Sequence, residues 1–497
     1  MNYLVTVFRL LISMGFVMII TRRLSVEEFG LWALIGSLIS YPLVPIGLWT
    51  YWCPRSIARN VPRSFGTGLT ITFTYLPIAL VTYCAIAYVM YLQVIGWGFE
   101  SMLLYGSVLL IVSLISSFFT SLPGAIAPEV YGYSGLVHEI LRLPLAYIFV
   151  VVLRFGVNGA IMALALSYSF SCTVNVALLR RRGVRWDGFD SSLAKKWFKG
   201  FSIPIIDVVS GFLGSSDRVL LACISGSEVP VAYMSASYSL RNPIAYGGAT
   251  VSGLYAKMLR GGSASDVEEV SRLYFAITTF TFITVICLAH PLMSLLNPAY
   301  RDAYWIVFIA GVLAILQGTI GIFGTVVVGR EEVDLKPEVS VKDYVKSRLF
   351  KWSSTGAMSQ IVSLVVGSTL LVAFMPLNNV ILLASAYPIG WLAGTCIFLL
   401  RYYRMAKSSL QFKFPWRDIA PFVIAGLCSG VCYQLLGSYS ITVEAFWRDM
   451  PILLVHVVVA ALIYFAISYA LSPWFRDFLR AAKRFVLEEV FCFERTS

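Results

Sequence analysis

The sequence is divided into repeated apolar stretches, each long enough to cross a membrane, and this pattern constrains the fold more than any other feature. The hydrocarbon core of a bilayer is about 30 Å thick, so a helix of about 20 apolar residues crosses it with its backbone polar groups bonded internally. Only 13% of the residues are charged, against about 25% in soluble domains. The pattern therefore predicts an all-α polytopic membrane protein and excludes a soluble multidomain chain.

Fourteen stretches of the sequence satisfy this requirement. They cover residues 3–21, 29–52, 67–92, 101–123, 136–153, 157–179, 200–224, 230–256, 273–296, 303–328, 353–375, 378–400, 418–437 and 451–472. The expected parts of the chain are a six-helix bundle at 1–182, a basic linker at 183–199, a second six-helix bundle at 200–402, two additional helices at 403–472, and an amphipathic tail at 473–497.

Lysine and arginine accumulate on alternate loops, which predicts the orientation of the chain because short basic loops stay in the cytoplasm. With the N-terminus inside, 29 of the 38 basic residues fall on the cytoplasmic side, 5 fall outside and 4 lie within the membrane. The net charge of +12 is therefore a topology signal, and no nucleic-acid partner is expected. We expect a plasma-membrane protein with both termini in the cytoplasm.

An internal repeat supports the division into two bundles. Four residues of helices one and two recur 201 positions later, in helices seven and eight: Glu27 as Glu228, Trp32 as Tyr233, Pro42 as Pro243 and Gly47 as Gly248. A repeat of six spans leaves both halves in the same orientation, so their symmetry axis runs along the membrane normal. Two such bundles would enclose a central cavity.

Four arginines lie inside predicted spans, and each is a candidate binding residue because a buried charge costs from about 2.5 kcal/mol upward in a bilayer. Arg241 lies near mid-membrane and either lines the cavity or forms a structural pair. Arg218 follows Asp217, with which an ion pair between helices is the alternative. Arg9 is close enough to the inner headgroups to reach them. Arg142 lies three residues after Glu139 and can pair with it.

Other charged residues are weaker candidates for the same site. Arg55 and Arg59 at the inner end of helix two could receive an anionic cargo, or could serve only the positive-inside rule. Arg22 and Arg23 lie on the predicted outer side, against that rule, with acidic neighbours that could neutralise them.

The intramembrane carboxylates of Asp207, Asp217 and Glu139 could bind H⁺ or Na⁺ and couple transport to an ion gradient. The alternative is that membrane potential or consumption of the cargo supplies the drive. The three histidines lie in separate helices, so no metal site is expected. The glycines of Gly324 to Arg330 lack the Lys-Ser/Thr of a nucleotide-binding loop, so neither a nucleotide nor any other cofactor is expected.

Two segments carry a recognisable pattern: ITRRLSVEEFGLWALIGSLIS at 20–40 and DRVLLACISGSEVPVAYMSASYS at 217–239. The chain resembles the polysaccharide-exporter branch of the multidrug/oligosaccharidyl-lipid/polysaccharide flippase superfamily, over roughly its first 400 residues. The first motif is matched by Arg22 or Arg23, Leu24, Glu27, Glu28, Phe29, Gly30 and Trp32. The second is matched by Asp217, Arg218, Leu221, Gly226 and Tyr233, whereas Val231 replaces an expected glycine.

The resemblance implies a flippase for a lipid-linked oligosaccharide with a phosphate or pyrophosphate head, moved to the outer leaflet by alternating access. Membrane lipids and glycan-assembly enzymes are then the expected partners, and a monomer the expected state. A multidrug or cation exporter of the same superfamily is the alternative. A membrane-embedded polysaccharide polymerase is a third reading, but no loop is long enough for a catalytic domain, so we expect no enzymatic activity.

Overall fold

The computed structural model describes residues 2–123, 128–202, 204–259, 261–331, 341–443 and 446–485. For residues 2–11 the description covers the backbone alone. Every regular element within these ranges is helical. The chain is therefore an all-α protein, as the sequence predicts.

Fourteen helices follow one another in the order of the predicted spans. They are α1 Asn2–Arg23, α2 Val26–Leu43, α3 Ser64–Met90, α4 Gly106–Ser121, α5 Pro128–Ala146, α6 Gly156–Arg181, α7 Ile205–Ser225, α8 Val229–Ala245, α9 Ala264–Cys287, α10 Tyr304–Gly329, α11 Arg348–Phe374, α12 Val380–Ser409, α13 Trp416–Leu435 and α14 Phe446–Leu471. Twelve helices of the described ranges are long and apolar enough to cross a membrane. α1 and α8 are not among the twelve, and the helical part of α8 has only 17 residues.

The helices pack as two groups of six with an added pair. α1 packs on α5, α4 and α5 pack on α6, and α2 packs on α3, α4 and α6. In the second group, α12 packs on α8, α10 and α11, while α7 packs on α11. The groups meet mainly through α2, which lies against α7 and α8. α13 and α14 pack on each other and on α9, outside the two six-helix groups.

The repeat seen in the sequence is also a repeat of local structure. Pro42 lies in the last turn of α2, and Pro243 lies in the last turn of α8. Each helix is followed by a 3-10 segment, Val44–Ile46 and Tyr246–Val251 respectively, and then by short α-helix. A proline lacks the N–H that would bond the carbonyl four residues earlier, so both helices loosen at the same relative place.

Two further predicted spans are also interrupted. α7 breaks at Ser215, beside Ser216, where both serine hydroxyls donate to carbonyls of the preceding turn, at Gly211 (3.0 Å) and Phe212 (2.8 Å). Such bonds compete with the helix ladder and bend it. The predicted span 273–296 ends as α9 at Cys287 and resumes as Ala289–Leu296, because Pro291 has no N–H for the Cys287 carbonyl.

The linker between the bundles is attached to the first bundle. Asp187 accepts a hydrogen bond from the Gly66 backbone N–H (2.7 Å), and Trp197 donates to Ser56 (3.2 Å). Asp190 caps the short helix Ser191–Lys199, and bonds from the Ser192 hydroxyl and the backbone N–H groups that follow lower the pKa of its carboxyl. The linker therefore orders part of the predicted cytoplasmic surface.

The described part of the tail forms a further helix, α15, at Pro473–Phe485. Phe475 is buried against Phe422 and Phe465, at ring-centroid distances of 5.8 and 6.2 Å. Arg480 and Lys483 on the other face are exposed. This helix therefore has one packed face and one charged face, whereas residues 486–497 of the predicted amphipathic tail lie outside the described ranges.

We expect Phe475→Ala to release α15 from α13 and α14. Replacing a fully packed phenylalanine with alanine typically costs about 3–5 kcal/mol, because transfer and cavity terms add. Hydrogen exchange of residues 473–485 in detergent should accelerate strongly. Leu479→Ala is the matched control, since Leu479 is already 38% exposed. Equal exchange in both variants would mean that this contact does not hold the helix.

Candidate substrate site between the two bundles

A cavity of about 540 Å³ lies where the two bundles meet. α1, α2, α4 and α6 contribute apolar walls, whereas α7 and α8 contribute most of the polar ones. We call it the central cavity, and its lining residues are Val17, Phe29, Trp32, Ala33, Ile35, Gly36, Leu109, Ile161, Leu164, Arg218, Ser235, Tyr238, Ser239, Arg241, Asn242 and Ala245. Two of these carry charge, both are arginines, and no carboxylate lines it within the described ranges.

Arg218 reaches the central cavity from the second half of α7. Its Nε donates to the Ser235 hydroxyl at 3.2 Å, and its Nη1 lies 3.5 Å from the Ser37 hydroxyl. Within the described ranges no carboxylate lies at ion-pair distance from this guanidinium. Hydroxyl contacts orient the group but leave its charge uncompensated, so an anion in the cavity would meet a positioned cation.

Arg241 reaches the same cavity from α8, one turn before the helix loosens. Its Nη2 donates to Oε1 of Gln317 on α10, and its guanidinium lies 5.4 Å from the Tyr238 ring centroid. The described residues supply no carboxylate partner for it. Arg241 therefore lies at the wall of the central cavity and is bonded to a neutral amide of α10.

The acidic candidates of the second bundle form no ion pair with these arginines. The carboxylate of Asp217 accepts from the Arg218 backbone N–H (2.7 Å) and from Nε1 of Trp391 (3.2 Å). The guanidinium of Arg218 is directed toward the Ser235 and Ser37 hydroxyls, so Asp217 and Arg218 do not form an ion pair. Asp207 lies in the first turn of α7, is exposed, and lies near the Ser353 hydroxyl.

The arginines predicted at the inner mouth lie away from the central cavity. Arg55 donates to the Tyr51 carbonyl at 2.7 Å and lies 3.8 Å above the Tyr51 ring. Arg59 is exposed in the turn that follows. The side chain of Arg9 lies outside the described residues. Arg55 and Arg59 are therefore not brought together with Arg218 and Arg241.

Arg22 closes a contact between the bundles on the predicted outer side. Its Nε donates to the Leu295 carbonyl at 2.7 Å, and Nδ2 of Asn297 donates to the Thr21 carbonyl at 2.9 Å. Nε1 of Trp97 also donates across the bundles to Glu228, at 2.9 Å. Neither Arg22 nor the exposed Arg23 lines the central cavity. Within the described ranges, neither forms an ion pair with the acidic neighbours considered above.

We expect Arg22→Ala to loosen this outer contact. A hydrogen bond from a charged group is worth about 1.5–3 kcal/mol, so its loss should increase the separated population about tenfold or more. The distance distribution between spin labels at Ser25 and Ala299 should gain a longer component. Arg23→Ala removes a charge one residue away and should leave the distribution unchanged. An equal change of the distance distribution in both variants would indicate an effect of charge loss in general, and not of the hydrogen bond from Arg22 to Leu295.

A second cavity, of about 620 Å³, lies in the first bundle between α4, α5 and α6. We call it the serine cavity, and its lining residues are Leu43, Ser113, Ser116, Ser117, Thr120, Ser121, Ser134, Gly135, His138, Glu139, Arg142, Tyr168 and Ser171. Arg142 and Glu139 form the expected pair at 2.6 Å, and the guanidinium lies 4.4 Å from the Phe16 ring centroid. This pair lines the serine cavity and not the central one.

Several residues of the site were not singled out from the sequence. Gln317 supports Arg241 from α10, Trp391 holds Asp217 from α12, and Tyr238 contributes its ring to the cavity. Gln317 carried a usable signal, because an uncharged amide is costly within an apolar span unless it is bonded. The other two are aromatic residues among many in this chain, and only packing distinguishes them.

Comparison with known proteins gives matches at the level of structure. No protein-family model matches the chain, and no curated protein matches its sequence. Solved structures do match it, at low sequence identity. One is described as "Lipid II flippase MurJ, inward closed conformation", with a TM-score of 0.62, 11% identity, and coverage of 96% of this chain and 99% of that one. Another is an inward-facing multidrug resistance MATE family transporter of the MOP superfamily, with a TM-score of 0.59, 14% identity, and coverage of 81% and 95%.

The third is a structure of the MATE multidrug transporter DinF-BH, with a TM-score of 0.55, 14% identity, and coverage of 82% and 94%. The chain has the fold of MATE transporters and MurJ. The match with MurJ covers nearly the whole of this chain, so it includes much of the α13–α14 pair. The match with the MATE structures covers about four fifths of this chain. The matching fold and the twelve long apolar helices of the described ranges confirm the expectation of an all-α multi-pass membrane protein.

Proposed function

We propose that the protein is a flippase for a lipid-linked saccharide with an anionic phosphate or pyrophosphate head. The observation that carries this proposal is the charge of the central cavity. Arg218 and Arg241 line it without ion-pair partners in the described ranges. Guanidinium groups donate fork-like hydrogen bonds to phosphate oxygens and keep their charge in a membrane, so they can replace water around such a head.

The two-bundle architecture supplies the route. Alternating access requires two units that rock about a site between them, and the central cavity lies at that boundary. The bundles at 1–182 and 200–402 would be these units, with the linker and the residues 403–497 as additions. The cargo would move from the cytoplasmic to the outer leaflet of the plasma membrane, and the protein would transport it without chemical change.

The drive could be an ion gradient acting through a membrane carboxylate. Asp217 is bonded to Trp391, and Glu139 is paired with Arg142. Asp207 is not in an ion pair with any described residue and lies at the start of α7, near the predicted cytoplasmic face. Among these three it is the carboxylate best placed to bind H⁺ or Na⁺ from the cytoplasm.

A multidrug or cation exporter is the competing function, because MATE transporters share the fold. The aromatic side chains of Phe29, Trp32 and Tyr238 in the central cavity would suit an aromatic drug. A cationic cargo, however, would meet two arginines and no lining carboxylate among the described residues. The charge of the cavity thus favours the flippase.

The test is reconstitution of the purified protein into liposomes with two probes. The first is a fluorescent prenyl pyrophosphate-linked disaccharide, whose outer-leaflet fraction is measured by quenching with an impermeant reductant. The second is a hydrophobic cationic dye preloaded in the vesicles. We expect translocation of the lipid and none of the dye. Dye efflux without lipid translocation would establish the exporter, and elongation of the glycan would establish a polymerase.

A further inference from the structure

The serine cavity contains hydroxyl groups that the protein does not satisfy. On α4, Thr120 and Ser121 donate to carbonyls of their own helix, at 2.6 and 2.7 Å. Ser113, Ser116 and Ser117 line the cavity on the same helix, and their hydroxyls have no hydrogen-bond partner within the described ranges. Ser116 is only 4% exposed. These three hydroxyls are not sealed within the packing of the described residues, so they can form hydrogen bonds with water or with a ligand in the cavity.

The charge of the serine cavity selects against a simple ion. Glu139 and Arg142 neutralise each other at 2.6 Å, and the cavity of about 620 Å³ falls in the range of small-molecule sites. Serine hydroxyls both donate and accept hydrogen bonds, as the hydroxyls of a sugar do. The spacing i, i+3, i+4 places all three free serines on one face of α4. An uncharged polyhydroxylated group fits this lining best.

The serine cavity lies next to the central cavity along two shared helices. On α4, Leu109 lines the central cavity, and Ser113 one turn later lines the serine cavity. On α6, Leu164 lines the central cavity, and Tyr168 one turn later lines the serine cavity. One helical turn rises about 5.4 Å, so a single elongated molecule can reach both cavities.

We propose that the serine cavity binds the saccharide of the cargo while Arg218 and Arg241 bind its phosphate. This inference rests on the proposed function and adds to it a position for the sugar. By the predicted topology, the second half of α4 and the first half of α5 lie toward the cytoplasm. The saccharide would thus be bound on the side from which it is loaded.

The experiment compares the affinities of two lipids for purified protein in nanodiscs. The lipids are a short-chain prenyl pyrophosphate with a disaccharide and the same prenyl pyrophosphate without sugar. The test variant is Ser113→Ala/Ser116→Ala/Ser117→Ala, which removes hydroxyls and keeps the space. The control is Ser107→Ala/Ser169→Ala, on α4 and α6, whose hydroxyls contact Cys84 and the Ala165 carbonyl outside the cavity.

We expect the wild type and the control to bind the glycosylated lipid more tightly than the bare one. The triple variant should bind the glycosylated lipid about tenfold more weakly than the wild type does, which is about what one or two hydrogen bonds contribute. Its affinity for the bare lipid should be unchanged. That retained affinity shows that the variant is folded. Equal binding of both lipids by the wild type, or an unchanged preference in the triple variant, would overturn the sugar subsite alone. Failure of the wild type to bind either lipid would overturn the proposed function together with it.

Discussion

Arg241→Ala is expected to abolish lipid translocation while the protein still inserts and folds. The substitution removes one of the two cations of the central cavity, together with its bond to Gln317. A hydrogen bond to a charged group contributes about 1.5–3 kcal/mol, and a phosphate would receive more than one from a guanidinium, so a loss of at least about 100-fold in rate is expected. The measurement is the initial rate of translocation of the fluorescent disaccharide lipid in liposomes.

Two further variants serve as a comparison and a control for Arg241→Ala. Arg241→Lys keeps the charge but replaces a bidentate donor with a point charge, so we expect partial activity. Arg404→Ala removes an exposed arginine at the end of α12 and should leave the rate unchanged. Full activity of the alanine variant at position 241 would remove this residue from the site and would count against the proposed function.

Gly30→Ala is expected to prevent the bundles from closing on the predicted outer side. A Cβ atom at Gly30 would lie 2.3 Å from the Glu228 carbonyl oxygen and 2.9 Å from its carbon. Because the neighbour is backbone, α2 and α8 would have to separate. Overpacking of this kind costs about 1–3 kcal/mol, which corresponds to about a 5- to 150-fold shift in population. Transport should fall, since the cycle needs the closed state.

The measurement is thiol accessibility in a variant whose native cysteines are replaced and which carries Ser239→Cys in the central cavity. An impermeant reagent added from the outer side should modify this cysteine faster when Gly30→Ala is present. Gly321→Ala is the matched control, because a Cβ at Gly321 meets nothing within 4 Å. Unchanged reactivity and full transport in the Gly30 variant would show that this contact is not a gate.

The sequence predicted the helices well and their ends less well. The span predicted at 136–153 begins earlier in the structure, as α5 at Pro128, since proline is well tolerated in the first turn of a helix. The span predicted at 273–296 breaks after Cys287, and the shorter segment then packs beside the outer end of α1. Apolar content indicates that a segment is buried in the membrane, but it does not show where local hydrogen bonding ends a helix.

The candidate site was predicted in part. Arg218 and Arg241 do line one cavity, which their positions in two successive spans made plausible. Arg142 lines a different cavity and is paired, and Arg22 bonds a backbone carbonyl of the other bundle. The sequence could not show which arginines share a cavity, because spacing along a helix gives depth in the membrane but not the direction in which a side chain faces its neighbours.

By itself, the sequence determined that the chain is a bundle of membrane helices, and it predicted an internal repeat and the depth of the charges in the membrane. These properties follow from hydropathy and residue spacing, which can be read along the chain without knowledge of how the helices pack. Only the tertiary structure decided that Arg218 and Arg241 share a cavity free of carboxylates within the described ranges, and that unbonded serines line the cavity beside it. The rotation of each helix about its axis is set by packing against other helices, and that packing brings together residues far apart in the chain.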